Sequence, residues 1–225
     1  MSSLSERLSA IDARIDSRLK LNSRESNSLT RIVVSKFHPS SVVRELYSLG
    51  VRDFGENRDQ EASAKAQEVL DLDLNWHFIG QLQSNKVKSV LGYASVVHSL
   101  DRASLLNALM TQTSERAAPL DVFVQVNLTD DTGRGGVDER DLLEFAEQVT
   151  SAPGLNLLGL MAVASLEGEE ERDFTKIAAL SALLVKDHPD ARYISAGMSN
   201  DFELAIDFGA THLRIGTAIT GNRDL

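Results

Sequence analysis

The 225-residue chain contains no cysteine. Disulfide bonds, zinc–thiolate sites and thiol catalysis are therefore excluded, and a reducing compartment is permitted. The chain also lacks any apolar stretch long enough to span a bilayer. Its first residues, 1–7, have no apolar core of the kind that signal peptides carry. Together these absences predict a cytoplasmic protein.

Positive charge is scarce in this sequence. Lys and Arg number 23 against 33 Asp and Glu, which gives a formal net charge of −10. An acidic surface argues against non-specific binding to nucleic acids or anionic membranes. Hydrophobic residues make up 42% of the chain, enough for one sizeable core. We therefore expect a single domain over residues 1–225, without nucleic-acid or membrane partners.

Several common signatures of catalysis and metal binding are missing as well. The five histidines show no HxH or HExxH spacing, so we expect no metal site. No GxSxG elbow, Walker loop or GxGxxG fingerprint is present. His77 alternates with Phe78 in a strand-like run, so one of the two faces the interior. A core histidine with satisfied hydrogen bonds is the favoured interpretation of His77.

Short apolar runs alternate with helical patterns along the chain. Strand–helix alternation indicates a parallel sheet, and about eight units in one domain favour a closed barrel. The predicted fold is therefore α/β, a single (β/α)₈ TIM barrel. An open doubly wound sheet is the alternative, because the segment 84–90 is a weak helix. The apolar runs lie near residues 31–35, 51–54, 75–79, 94–98, 121–127, 157–163, 192–196 and 211–215.

An added N-terminal helix precedes the first strand, within residues 1–28. The polar amphipathic pattern covers residues 3–26. Only residues 216–225 follow the last strand, so the final barrel helix should be short or absent. We expect the N-terminal helix to cover that gap. Its apolar residues recur at helical spacing: Leu4, Leu8, Ile11, Ile15 and Leu19.

Lys36 follows the first apolar run, directly before Phe37, His38 and Pro39. Lysine is rarely buried unless it has a task or a partner. A desolvated lysine has a lowered pKa and can act as a Schiff-base nucleophile. The alternative is a lysine that emerges into solvent and only terminates the strand. Position alone leaves both interpretations open.

In TIM barrels the active face lies at the carboxyl ends of the strands, and phosphate sites favour the loops after strands 7 and 8. Ser199 follows the seventh strand, and Arg214 leads to Gly216 and Thr217 after the eighth. Small residues, hydroxyls and backbone N–H groups suit a phosphate dianion. Two ordinary turns, with Ser199 as an N-cap, are the alternative. After the second strand, Asn57 could donate a hydrogen bond into the mouth or cap the next helix.

Taken together, the motifs resemble the pyridoxal phosphate homeostasis protein family. The family's fold is similar to the barrel domain of alanine racemase. The His-Phe-Ile-Gly…Gln-Ser-Asn-Lys and Arg-Ile-Gly-Thr blocks are highly specific. In chain order the matching blocks are Val34-Ser35-Lys36, Phe54-Gly55-Glu56-Asn57, Trp76-His77-Phe78-Ile79-Gly80 with Leu82-Gln83-Ser84-Asn85-Lys86, Gly159-Leu160-Met161-Ala162, Gly197-Met198-Ser199 and Arg214-Ile215-Gly216-Thr217-Ala218-Ile219.

The resemblance implies a cofactor and the residues that hold it. Lys36 would carry pyridoxal 5′-phosphate through a Schiff base, as an internal aldimine. Ser199, Gly216 and Thr217 would hold the phosphate, and Arg214 would face the pyridine nitrogen. Asn57 and Met161 would lie near the ring. The full set of implied cofactor-binding residues is Lys36, Asn57, Met161, Ser199, Arg214, Gly216 and Thr217.

The function that the resemblance implies is vitamin B6 homeostasis. The protein would buffer the cofactor or deliver it to apoenzymes, as a monomer and without turnover. A pyridoxal-phosphate-dependent racemase is an alternative, but it needs a second acid–base group on the opposite ring face. The tyrosines (Tyr47, Tyr93, Tyr193) are not obviously at strand ends. A Schiff-base aldolase that binds a sugar phosphate at Lys36 is a further alternative, which the visible absorbance of the purified protein would distinguish.

Overall fold

The structure is a computed structural model that describes residues 2–114, 116, 118–129, 135–165 and 168–221. Within these residues eight parallel strands close into a barrel in sequence order. This closure confirms the predicted α/β barrel and rules out the open sheet. The strands, β1 to β8, are Thr30–Val34, Asp53–Glu56, Asn75–Phe78, Val96–Leu100, Leu120–Gln125, Leu155–Met161, Tyr193–Ser195 and His212–Ile215.

Helices follow the strands around the outside of the barrel. The weakly predicted segment 84–90 forms a 3₁₀ turn, Ser84–Lys86, and one short helix. Another 3₁₀ turn, Glu139–Asp141, is capped by Asp138, whose carboxylate accepts the backbone N–H of Arg140. Within the described residues the helices, α1 to α9, are Leu4–Leu21, Ser40–Ser48, Asp59–Glu68, Val87–Val90, Ala103–Thr113, Leu142–Thr150, Glu170–Asp187, Phe202–Asp207 and Thr217–Thr220.

The N-terminal helix is shorter than the predicted span 3–26. It begins with a capping box in which Ser3 and Glu6 satisfy each other's backbone N–H groups. It ends at Leu21 because the N–H of Asn22 donates back to the last turn, and Ser23 then takes a positive φ of 55°. The five predicted apolar residues of this helix are all buried.

Helix α1 covers the gap beside the last strand, as the sequence predicts. The final helix α9 has only four residues. Arg7 of α1 donates from Nε to the carbonyl of Ile219 at 2.7 Å. Arg14 pairs with Glu203 of α8 at 2.6 Å. The N-terminal helix therefore takes the place that a longer eighth barrel helix would occupy.

One glycine is required for the sheet to close. Gly159 in β6 has a φ of 152°, and an added Cβ would lie 1.9 Å from the carbonyl oxygen of Tyr193 in β7. Any side chain at this position would separate the two strands. The close approach explains the glycine of the block Gly159-Leu160-Met161-Ala162.

Within the described residues, no three His, Asp or Glu side chains cluster as metal ligands would. No helix in the same part of the chain is both long and apolar enough to cross a membrane.

Candidate functional site

The barrel brings the predicted site residues to one of its two ends. Parallel strands end at the same edge, so residues that follow different strands meet there. Strand β8 pairs with β1, with Ile215 opposite Val33. Lys36 and Gly216 therefore emerge from neighbouring strands. The seven residues lie at or near the carboxyl ends of β1, β2, β6, β7 and β8: Lys36, Asn57, Met161, Ser199, Arg214, Gly216 and Thr217.

Hydroxyl groups from two loops converge beside β1. Thr217 Oγ1 lies 3.4 Å from Ser199 Oγ, which also accepts the backbone N–H of Ala218 at 3.3 Å. An added Cβ at Gly216 would lie 3.5 Å from Val34 Cβ, so this loop packs against the end of β1. The loops after β7 and β8 thus present hydroxyl and N–H donors to one place, which suits an anion.

Ser199 does not cap helix α8. Asp201 holds the N-cap position of that helix. Its carboxylate accepts the N–H of Met198 at 2.5 Å. Because Ser199 instead bonds to the loop after β8, the alternative in which it only caps its own helix is wrong.

Lys36 lies in a sharp turn just beyond β1, and its side chain is exposed. The structure shows that this side chain reaches solvent, which is the exposure that the second interpretation describes. Its Nζ lies 5.9 Å from the ring centre of Phe37, and the guanidinium carbon of Arg58 lies 5.4 Å from the same ring. The amine is thus accessible at the mouth of the barrel.

A buried lysine fixes the backbone of this turn. Lys65 Nζ donates to the carbonyl of Ser35 at 2.8 Å and to the carboxylate of Glu56 at 2.5 Å. Glu56 also accepts the hydroxyl of Ser35 at 2.7 Å. The backbone N–H of Phe37, which has a positive φ of 68°, donates to Glu61 at 2.5 Å. These bonds hold a conformation that costs about 1–3 kcal/mol for a residue other than glycine.

The Lys65 ammonium is the cation that lies beside the buried carboxylate of Glu56. Burial raises the pKa of Glu56, and the nearby Lys65 ammonium and Ser35 hydroxyl offset only part of that effect. Both side chains of the pair are almost fully buried. Lys65 was not predicted from the sequence. The only local signal was its i,i+4 spacing from Glu61, which is common on exposed helices.

Arg214 is buried inside the barrel and held at two points. Its Nη1 donates to Ser195 Oγ at 2.7 Å, and its Nη2 donates to the carbonyl of Ala162 at 3.0 Å. Burial lowers the pKa of Arg214 to about 10, against the opposing effect of Asp201. The guanidinium therefore remains a cation, and a donor only, at neutral pH.

Asn57 and Met161 differ in what they offer to a ligand. The Oδ1 atom of Asn57 is buried and has no hydrogen-bond partner within the described residues. A buried polar atom left in this way is expected to have a partner in the functional state. Met161 is also buried, but it packs against Val96 and Phe123. It contributes apolar surface below the mouth.

A cavity of about 630 Å³ opens beside Asn57. This is within the range of small-ligand sites. Phe37 and Asn57 line one side, and Lys86 lines another. The cavity belongs to the loops after β1, β2 and β3, whereas the hydroxyls of Ser199 and Thr217 lie on the β8 side of Lys36.

Comparison with known proteins defines the fold family of this chain. Residues 34–224 match the family described as alanine racemase, N-terminal domain. Alanine racemase from Corynebacterium glutamicum aligns with a TM-score of 0.69 at 15% identity, covering 97% of this chain and 62% of that one. At this identity the likeness shows the fold alone. The chain therefore has the barrel of the alanine racemase N-terminal domain.

Full-length relatives narrow the class to one family. The pyridoxal phosphate homeostasis protein of Pseudomonas aeruginosa is 40% identical over 224 residues, covering 100% of this chain and 97% of the relative. PipY of Synechococcus elongatus PCC7942, in a structure with PLP bound, is 36% identical with a TM-score of 0.84, covering 97% of this chain and 100% of that one. This chain belongs to the pyridoxal phosphate homeostasis protein family, as its sequence blocks predicted.

Replacing Lys65 tests the buried cluster. Lys65→Met leaves the Glu56 carboxylate buried without its cation, so we expect the free energy of unfolding to fall by about 3–5 kcal/mol. Chemical denaturation measures this change. The double variant Lys65→Met, Glu56→Gln should recover part of the loss. The matched control is Arg44→Met, which breaks an exposed pair with Asp71 and should change little. Equal stability of Lys65→Met and the wild type would show that the cluster does not stabilise the turn.

Proposed function

We propose that this protein binds pyridoxal 5′-phosphate at the mouth of its barrel and serves vitamin B6 homeostasis. The observation that carries the proposal is the convergence of Ser199, Thr217 and the Ala218 N–H beside the strand that leads to Lys36. A phosphate-bearing aldehyde needs an anion site and an amine within reach of each other. Membership of the family, and the bound PLP in PipY, support the same cofactor.

The proposal gives each site residue a role. Lys36 provides the amine, because its side chain is exposed at the mouth rather than held in the buried cluster. Ser199, Gly216 and Thr217 bind the phosphate. Arg214, which is already oriented by two hydrogen bonds, donates to the pyridine nitrogen. The unpartnered Oδ1 of Asn57 supports its placement near the ring.

We also propose that the protein holds and releases the cofactor without turnover. When bound, pyridoxal phosphate supplies an aldehyde that condenses reversibly with an amine and a ring that withdraws electrons. Because Arg214 only donates, it leaves the ring nitrogen unprotonated and the ring a poorer acceptor of negative charge.

The tyrosines also argue against a racemase. Tyr47 lies in helix α2, Tyr93 precedes β4 and Tyr193 begins β7. None of the three is at the carboxyl end of a strand, where a second acid–base group would be needed. Burial also raises the pKa of Tyr93, so its phenol stays protonated at neutral pH and cannot act as a base.

The wider role follows from the same chemistry. An exposed lysine at an open mouth suits exchange of the cofactor with apoenzymes. The protein would buffer the cofactor or supply it to these enzymes. We place this exchange in the cytoplasm and propose a monomer as the acting form. The absence of cysteine and the net charge of −10 support these two assignments.

Substitution of Lys36 tests the attachment point. Purified Lys36→Ala, incubated with pyridoxal phosphate, should lack the visible absorbance of the lysine-linked cofactor and should incorporate no label after borohydride. The matched control is Lys86→Ala, because Lys86 is an exposed lysine that lines the neighbouring cavity. That control should keep the full absorbance band. A band retained by Lys36→Ala and lost by Lys86→Ala would place the attachment at Lys86.

Removal of two hydroxyls tests the phosphate site. Charge-assisted hydrogen bonds contribute roughly 1.5–3 kcal/mol each. The double variant Ser199→Ala, Thr217→Ala should therefore bind pyridoxal phosphate at least about tenfold more weakly, as measured by titration of the visible absorbance. Pyridoxal, which has no phosphate, serves as the control ligand. Its weaker affinity should be the same for the variant and the wild type. An unchanged affinity for pyridoxal phosphate would place the phosphate elsewhere.

A further inference from the structure

A continuous line of polar side chains crosses the interior of the barrel from Arg214 to Asp53. Beyond the Arg214–Ser195 bond, Ser195 Oγ lies 2.8 Å from His98 Nδ1. His98 Nε2 lies 2.9 Å from His77 Nδ1. His77 Nε2 lies 3.1 Å from Asp53 Oδ1. Five strands, β8, β7, β4, β3 and β2, each contribute one member.

The acceptor-only carboxylate of Asp53 determines the direction of the hydrogen bonds in this line. A carboxylate only accepts, so His77 carries a proton on Nε2 and donates it to Asp53, and in a neutral imidazole the other nitrogen, Nδ1, is then an acceptor. His98 must then carry its proton on Nε2 and donate it to His77 Nδ1. By the same reasoning, His98 Nδ1 accepts the hydroxyl proton of Ser195, whose Oγ accepts from the donor-only guanidinium of Arg214. One arrangement of protons satisfies the whole line.

The surroundings keep His98 neutral. His98 is fully buried and stacks on Phe123 at 4.6 Å between ring centres. Burial lowers the pKa of His98 well below its usual range, and His77, Arg214 and His212 add to this effect. The His212 ring lies 6.3 Å from His98, and burial lowers its pKa to about 4. A proton added to either histidine of the line would remove an acceptor that its neighbour needs.

The far end of the line is anchored by a carboxylate. Burial alone would raise the pKa of Asp53, but the hydrogen bonds from His77 and Asn75 bring it below the usual value. Asp53 also lines a cavity of about 440 Å³ with Arg31 and Arg52, at the end of the barrel opposite the mouth. The line therefore runs from a cation at one end of the barrel to an anion at the other.

We propose that Asp53, His77 and His98 are positioning residues, which act through Ser195 to fix the direction of the Arg214 guanidinium toward the bound cofactor. The proposal rests on the function given above, since it takes Arg214 as the donor to the pyridine nitrogen. Rotation of Arg214 away from the mouth would break its hydrogen bond to Ser195 Oγ, whose own proton is already directed to His98. The line thus stabilises one orientation of a side chain whose partner arrives only with the ligand.

The proton order is tested in the protein without added cofactor. Nitrogen-detected NMR of ¹⁵N-histidine-labelled protein at pH 7 should show the neutral Nε2–H tautomer for both His77 and His98. Asp53→Asn should keep this pattern, because the amide oxygen still accepts from His77. Asp53→Leu removes the acceptor and should introduce the second tautomer at His77. A charged His98, or an Nδ1–H tautomer of His98 in the wild type, would overturn the proposal.

The positioning role is tested by Ser195→Ala, which removes the link next to Arg214 and leaves both rings in place. This variant and Asp53→Leu should bind pyridoxal phosphate about three- to tenfold more weakly, with an altered visible spectrum. Both variants should bind inorganic phosphate as tightly as the wild type does. A variant that had lost its structure would not bind phosphate with that affinity. Unchanged affinity and spectrum in Ser195→Ala would overturn the proposal. Failure of the wild type to bind the cofactor would instead contradict the proposed function and leave the NMR result intact.

Discussion

The pairing of β8 with β1 is the constraint on which the candidate site depends. These are the last and first strands of the chain, and four residue pairs, from Thr30 opposite His212 to Val33 opposite Ile215, join them. In an open sheet the lysine after β1 and the glycine and threonine after β8 could lie at distant edges. Closure places them on neighbouring strands. Helix α1 supports the closure from outside, through Arg7 and its bond to Ile219.

Two buried polar networks lie beside and below the mouth, and each contacts one part of the site. The Lys65 cluster fixes the turn that presents Lys36, and the line from Asp53 fixes Arg214. Buried charges are costly unless they are paired and hydrogen-bonded, so such networks add little net stability. What they provide is a defined geometry before the ligand arrives. An ordered site beside an exposed lysine is consistent with the proposed reversible holding of a cofactor.

Much of the fold could be predicted from the sequence because strand–helix alternation is a local signal. All eight strands lie where the apolar runs indicate, and the short helix α9 follows from the few residues after β8. The end of α1 was misplaced, since it depends on the backbone of Asn22 and Ser23 rather than on apolar spacing. The site residues were assigned from family blocks and from the rule that sites lie at strand ends.

The networks could not be predicted, because they join residues far apart in the chain. His77 was correctly interpreted as a core histidine, but its partners His98 and Asp53 belong to other strands. Lys65 looks like an exposed helical residue, and only the position of Ser35 above it shows that it is buried. Such contacts depend on strand register in three dimensions, which spacing along the sequence does not encode.

The most direct test of the central claim is to locate the attached cofactor. The holoprotein is reduced with borohydride, digested with trypsin and mapped by mass spectrometry. Modification of Lys36 blocks cleavage there, so the label should appear on a single peptide, residues 32–44, in place of the peptides 32–36 and 37–44. A label on any other lysine, or no label on a protein that binds the cofactor, would contradict attachment at Lys36.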